Sequence, residues 1–132
     1  MIFVDTSFWV ALRNRADGLH DQARELLTLH GEAGLVTSNQ VRGETWTFLR
    51  RRAGLRSAVG FLDAVQSSPR LKVVTAAPDQ EAEALRWLRR HDEREFSFVD
   101  ATSFVVMKAM RMTEALAFDG DFSAAGFREL RP

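Results

Sequence analysis

The chain has 132 residues, 45% hydrophobic and 27% charged, with 18 Lys plus Arg balancing 18 Asp plus Glu and no cysteine. One domain accounts for that length, and zero net charge leaves no overall field to gather a polyanion, so nucleic acid would have to meet a local basic patch. Disulfides, thiolate catalysis and Cys-based zinc sites are excluded; no apolar run nears the roughly 20 residues of a membrane span, and Asp5 breaks the first hydrophobic stretch, so a cytoplasmic protein without membrane contact is expected.

The first expected strand, Met1 to Val4, ends at Asp5, where Thr6 or Ser7 is placed to cap a helix carrying Phe8, Trp9, Ala11 and Leu12. After a loop at Asp17-Gly18, Leu19 to His30 has helical spacing at Ala23, Leu26, Leu27 and His30, and Gly31 and Gly34 bracket a break. Leu35 to Thr37 is a second strand. Ser38 or Asn39 caps a third helix through Val41, Thr45, Phe48 and Leu49 to Arg52, with Gly54 as its stop. Leu55 to Gln66 is a fourth helix with Val59, Leu62 and Val65 inward, and Leu71 to Val74 a third strand. Pro78 opens a helix over Asp79 to His91 on the stripe Ala82, Leu85 and Leu88. Ser97 caps a helix from Phe98 to Met112, Glu114 to Phe118 is a fourth strand, and Arg128 to Leu130 a short fifth. Strands separated by one or two helices imply right-handed crossovers. The expected fold is therefore a single three-layer α/β/α domain over residues 1–132, with a central, mostly parallel sheet of four to five strands.

Four acids stand out by where they fall. Asp5 and Asp119 each end an apolar strand, and open α/β sheets bind ligands beyond the carboxyl ends of their strands. Glu44 lies between Val41 and Phe48 at helical spacing, and Asp100 precedes Ser103, Phe104 and Met107 in the same way, which assigns both to inward helix faces. Each has a structural explanation of its own: Asp5 as a cap, Asp100 in a capping box with Ser97, Glu44 paired with an arginine. Four carboxylates converging at one sheet edge, however, repel one another unless a cation joins them. Oxygen ligands of that kind suit Mg²⁺ or Mn²⁺, and such a centre supports metal-assisted phosphoryl transfer or hydrolysis. All but Lys72 and Lys108 of the basic residues are arginine, densest at Arg50, Arg51, Arg52 and Arg56, which are candidate phosphate contacts; a GC-rich genome would give the same skew. His20, His30 and His91 have no mutual metal-ligand spacing. Trp46, two residues after Glu44 on another helix face, is a candidate exposed interface anchor.

Val4-Asp5-Thr6-Ser7, Glu44, Phe98-Val99-Asp100-Ala101, and Ala117-Phe118-Asp119-Gly120-Asp121-Phe122 followed by Gly126-Phe127 resemble the PIN-domain pattern in order and spacing. More narrowly the chain resembles the VapC toxins of VapBC toxin–antitoxin modules, and the resemblance covers essentially its whole length. It implies a Mg²⁺- or Mn²⁺-dependent endoribonuclease with Asp5, Glu44, Asp100 and Asp119 as the acidic quartet and Thr6 or Ser7 in support. Asp121 is a ligand of a second metal or a loop residue only. It also implies an RNA substrate, a homodimer, and a cognate VapB-like antitoxin, for which Trp46 and Leu49 are candidate contacts. Two alternatives remain: a non-catalytic PIN-scaffold binding module, and a receiver-like or haloacid-dehalogenase-like Mg²⁺ phosphotransfer domain. The dehalogenase-like version needs an Asp where this chain has Ser7.

Overall fold

A computed structural model describes residues 1–132: β1 (Ile2–Val4), α1 (Thr6–Arg13), α2 (His20–His30), a 3-10 turn (Gly31–Ala33), β2 (Leu35–Ser38), α3 (Asn39–Arg52), α4 (Leu55–Ser67), β3 (Leu71–Val74), α5 (Pro78–Arg90), α6 (Phe98–Ala109), β4 (Glu114–Leu116), α7 (Asp121–Ala124) and β5 (Arg128–Glu129). The sheet runs β3-β2-β1-β4-β5 with every pairing parallel. All residues of β1 and β2 are buried, as a parallel sheet covered on both faces requires, and the near-continuous apolar runs of these strands follow from that. The α/β/α domain expected from the sequence is thus the one formed, with five strands.

Chain order within the sheet places the site. From β1 the chain builds outward through β2 to β3, then returns to the other side of β1 as β4. A reversal of this kind opens a crevice beyond the carboxyl ends of the two strands it separates. Val4 lies beside Leu116, and the Asp5 N–H donates to the Leu116 carbonyl at 3.0 Å, so Asp5 and the Ala117-Phe118-Asp119 segment leave the sheet together. Ser38 caps α3 directly at the end of β2, its Oγ accepting from the Val41 N–H at 3.1 Å. Helix α6 packs against both α5 and α3, which brings the helices bearing Asp100 and Glu44 to the same crevice. Under it, Phe104 meets Phe122, Trp87 and Phe127 with ring centroids 5.0, 5.2 and 5.6 Å away, fixing α6 against α7.

Several elements depart from their expected bounds for identifiable reasons. Helix α6 stops at Ala109 rather than Met112, because Arg111 adopts the left-handed conformation (φ 56°). There the Met112 N–H bonds the Met107 carbonyl at 2.8 Å and the Arg111 N–H bonds Lys108 at 3.1 Å, the Schellman pattern usually closed by glycine. The fourth strand ends at Leu116, since the Ala117 carbonyl is taken by the Arg131 guanidinium at 2.7 Å rather than by a ladder partner. The short helix α7 had no periodicity to announce it; Gly126 (φ 97°) and the Phe127 N–H to Phe122 carbonyl bond of 2.9 Å close it. On α4 the inward residues are Ala58, Phe61 and Val65, while Val59 and Leu62 remain partly exposed. On α5, Ala84 is buried and Leu85 exposed.

Helix α3 matters most here, for its inward face is Val41, Thr45 and Leu49, with Phe48 turned outward. Leu49 is completely buried in this chain's own core, so the expectation that it contacts an antitoxin is corrected. Trp46 is half-buried and packs on the same core instead of standing free as an anchor. Leu49→Ala should therefore cost about 2–5 kcal/mol of folding stability through the cavity it leaves, read as a lowered urea midpoint at unchanged m-value. A loss below about 0.5 kcal/mol, the size of an exposed-site change, would contradict this placement.

Candidate active site

Four elements deliver acids to the crevice, each held by a local rule of chain geometry. Asp5 is the N-cap of α1, its Oδ2 accepting from the Ser7 N–H at 3.2 Å and from the Ser7 hydroxyl at 2.7 Å. Ser7 Oγ in turn accepts the Phe118 N–H at 2.9 Å, so one hydroxyl ties the ends of β1 and β4 together. Asp100 occupies the third position of α6 in a reciprocal capping box: the Ser97 N–H donates to its Oδ2 at 2.9 Å and its own N–H donates to Ser97 Oγ at 3.0 Å. The cap uses one carboxylate oxygen and leaves the other for the crevice. Asp119 Oδ1 accepts the Asp121 N–H at 3.1 Å across Gly120, whose φ of 83° makes the turn. Glu44 reaches the crevice from the flank of α3 and takes part in none of the five ion pairs, so the pairing with an arginine does not occur.

These side chains line one cavity of about 440 Å³. Carboxylate oxygens of Asp100, Asp119 and Asp121 lie within 4.8 Å of one another, while Asp5 and Glu44 border the same cavity outside that triad. Asp17 and Glu95 bring the lining carboxylates to seven, against a single arginine, Arg52. Arg50, Arg51 and Arg56 are exposed and do not reach the cavity. Thr6 also lines it, with a buried Oγ1 that has no hydrogen-bond partner.

Sequence reasoning passed over two residues that shape the loop. Arg94, in the loop before α6, donates from Nε to Asp121 at 2.8 Å and from Nη2 to the Asp119 carbonyl at 3.0 Å. Glu129, in β5, accepts the N–H groups of Gly120 and Ser123 at 3.2 and 2.9 Å and pairs with Arg131 at 3.1 Å. Both contacts span residues far apart or on different elements, so no local spacing reveals them.

Residues 2–128 match the PIN domain. The chain belongs to the PIN-domain family. It is 54% identical over 132 residues to a protein of two Mycobacterium tuberculosis strains named 23S rRNA-specific endonuclease VapC20, covering all of this chain and 99% of that protein. The crystal structure of Mycobacterium tuberculosis VapC20, described as a sarcin-ricin loop cleaving toxin, superposes with a TM-score of 0.94 at 53% identity over the full length of both chains. VapBC2 from Rickettsia felis, solved with a promoter DNA fragment, shares the fold at a TM-score of 0.71 and 16% identity, over 99% of this chain and 98% of that one. The expectation of an endoribonuclease of the toxin kind agrees with these relatives, and the receiver-like and dehalogenase-like alternatives fall away.

The donor set of this PIN domain fits a hard divalent cation. It consists of carboxylate oxygens with no thiolate or imidazole among them, and an orphaned threonine hydroxyl borders them. Their protonation reflects the crowding. Burial pushes Asp5 up to about 8, with the Asp119 carboxylate adding to the effect and the Ser7 hydrogen bonds opposing it. Burial likewise raises Asp100 to about 7, with its Ser97 cap opposing and Asp121 and Asp119 reinforcing. Asp119 rises to about 6, again chiefly by burial, with Asp121 and Glu129 adding.

All three folded-state values lie above the ordinary carboxylate range, so the native state binds protons more tightly than the unfolded chain. The stability these groups contribute is complete below about pH 4 and drains away as pH rises through their folded values to about 8. In metal-free buffer the protein should consequently lose stability between pH 5.5 and 8, and Asp100→Asn should flatten that slope. Adding Mg²⁺ or Mn²⁺ at pH 8 to a hundred times its Kd should return about 2.7 kcal/mol. Urea unfolding at the two pH values, with and without metal, checks each part. A wild-type stability that rises with pH in EDTA would contradict the crowded, protonated site.

Proposed function

We propose that this PIN domain is the toxin of a type II toxin–antitoxin pair and cleaves an exposed loop of 23S rRNA of the sarcin–ricin kind, using Mg²⁺ or Mn²⁺. The observation that carries the reading is the convergence of three carboxylates within 4.8 Å at the β1/β4 crevice, with four more on its walls. Identity to the VapC20 proteins over the whole chain supports the choice of RNA.

Asp100, Asp119 and Asp121 would hold the cation, with Asp5 and Glu44 bordering it and Thr6 Oγ1 available to it or to its water. When bound, such a cation lowers the pKa of water and offsets charge on the phosphate oxygens. The chain's own residues do the rest. Ser7 fixes the rotamer of Asp5, and Ser97 that of Asp100, so both carboxylates are oriented before RNA arrives. Glu44 has no competing arginine and is free to take a proton from the attacking water. Arg94 holds the Asp119–Asp121 loop in place by spanning a side chain and a backbone carbonyl.

Seven carboxylates around one cavity also suit a partner that inserts a basic side chain, which is how a cognate VapB-like antitoxin would displace metal and silence the enzyme. Homodimerisation of the free toxin belongs to the same proposal. Cytoplasmic action follows from a ribosomal RNA target; no helix is long and apolar enough to cross a membrane.

An RNA hairpin with the sarcin–ricin sequence should be cut at one bond in Mn²⁺ or Mg²⁺ and left intact in EDTA. Asp100→Asn should lower kcat by about 100-fold or more, with a smaller effect on KM. A folded Asp100→Asn protein that cuts at the wild-type rate, or cleavage that persists in EDTA, would overturn the mechanism.

A further inference from the structure

We infer that Phe48 and Arg52 form a nucleobase platform on the outer wall of the acidic cavity, holding a base beside the scissile phosphate. The inference rests on the endoribonuclease reading and adds the part of the site that grips a base.

Glu44, Phe48 and Arg52 follow one another at four-residue intervals on α3, which puts them on one side of the helix about 6 Å apart along its axis. All three line the cavity that holds the catalytic acids. Phe48 is 37% exposed, although Thr45 and Leu49 beside it are completely buried. Eight of the ten phenylalanines pair with another aromatic ring, whereas Phe48 has no aromatic neighbour and carries the Arg52 guanidinium 4.7 Å from its ring centroid. Arg52 is also the one basic side chain lining the cavity, and it pairs with no carboxylate.

An aromatic face and a guanidinium plane are the two side-chain surfaces on which unstacked RNA bases rest. Here they are joined, one helical turn from Glu44, in a wall that is otherwise acidic. Packing does not account for the arrangement, because Phe48 turns away from the core its helix serves. Leu19, 38% exposed at the start of α2, adds the other exposed apolar surface of the same cavity. The cavity, about 440 Å³, lies within the size range of small-ligand sites. Arg52 then serves twice, offering its plane to the base and its charge to a flanking phosphate, a combination lysine cannot reproduce.

A cleavage cycle separates stacking from general damage. The substrates are the sarcin–ricin RNA hairpin and the same hairpin with an abasic nucleotide at either side of the cut, assayed in Mn²⁺ with wild type, Phe48→Ala and Phe48→Trp. Phe48→Ala should lower kcat/KM roughly tenfold, the range of one base–aromatic stack, and Phe48→Trp should restore it. One of the two abasic substrates should cost wild type a similar factor and cost Phe48→Ala nothing more. Arg52→Lys should keep the salt dependence of cleavage while losing part of the rate. Binding of the intact hairpin in the Asp100→Asn background, followed by anisotropy, should weaken by the same factor on adding Phe48→Ala. Equal losses for wild type and Phe48→Ala on every abasic substrate would overturn the platform and leave the nuclease standing. A wild type that binds no RNA and cuts none in any metal would bring down the nuclease reading and the platform with it.

Discussion

One hydroxyl holds the site together. Ser7 Oγ donates to Asp5 and accepts from the Phe118 backbone, and those two residues sit at the ends of β1 and β4, more than a hundred residues apart in sequence. The strands flank the point where the sheet reverses its order, which opens the crevice between their carboxyl ends. Beyond the strand pairing that ends with the Asp5 N–H on the Leu116 carbonyl, the Ser7 hydroxyl therefore ties the two strand ends together and directs the first carboxylate of the cleft. The loop carrying Asp119 and Asp121 is fixed from the other side by Arg94 and Glu129.

The carboxylates gathered in that frame oppose folding. Desolvation is the largest influence on each of Asp5, Asp100 and Asp119, and their neighbours' charges add to it. A protein selected for stability alone would place leucine or asparagine at such sites. The cost is carried by packing that lies directly beneath: Phe104, one turn after Asp100, anchors an aromatic cluster reaching Trp87, Phe96, Phe122 and Phe127. Strain at the site and rigidity below it are two sides of one arrangement, for acids held apart by a soft scaffold would simply move away from one another.

Much of this was legible in the sequence, and the parts that were not share a physical reason. Strand ends and helix caps are local signals. Asp5, Ser38 and Ser97 announce them through one residue's chemistry, and the order of apolar runs then implies the parallel sheet. Asp100 satisfies both of the readings its sequence context allowed, completing a capping box with one oxygen and facing the cavity beside Asp119 and Asp121. Rotational placement on a helix is less local. The pattern on α3 grouped Phe48 with Val41, Thr45 and Leu49, yet only the last three turn to the core and Phe48 stays exposed beside them. Contacts such as Arg94 to Asp121, 27 residues apart, depend on where two loops meet and leave no periodic trace.

The charge pattern of the cavity also says how a polyanion can enter a place lined by seven carboxylates. With Arg52 as the only lining arginine and the whole chain at zero net charge, approach by field alone is ruled out. On the reading proposed above, a divalent cation held by Asp100, Asp119 and Asp121 would cancel the repulsion among them and let a phosphate approach. Arg50, Arg51 and Arg56 remain on the surface beyond the cavity, where they can meet the RNA backbone without entering the site. On the endoribonuclease reading proposed above, a structured loop that presents one bond to the acids while its flanking backbone lies against the exposed arginines next to Arg52 meets both conditions.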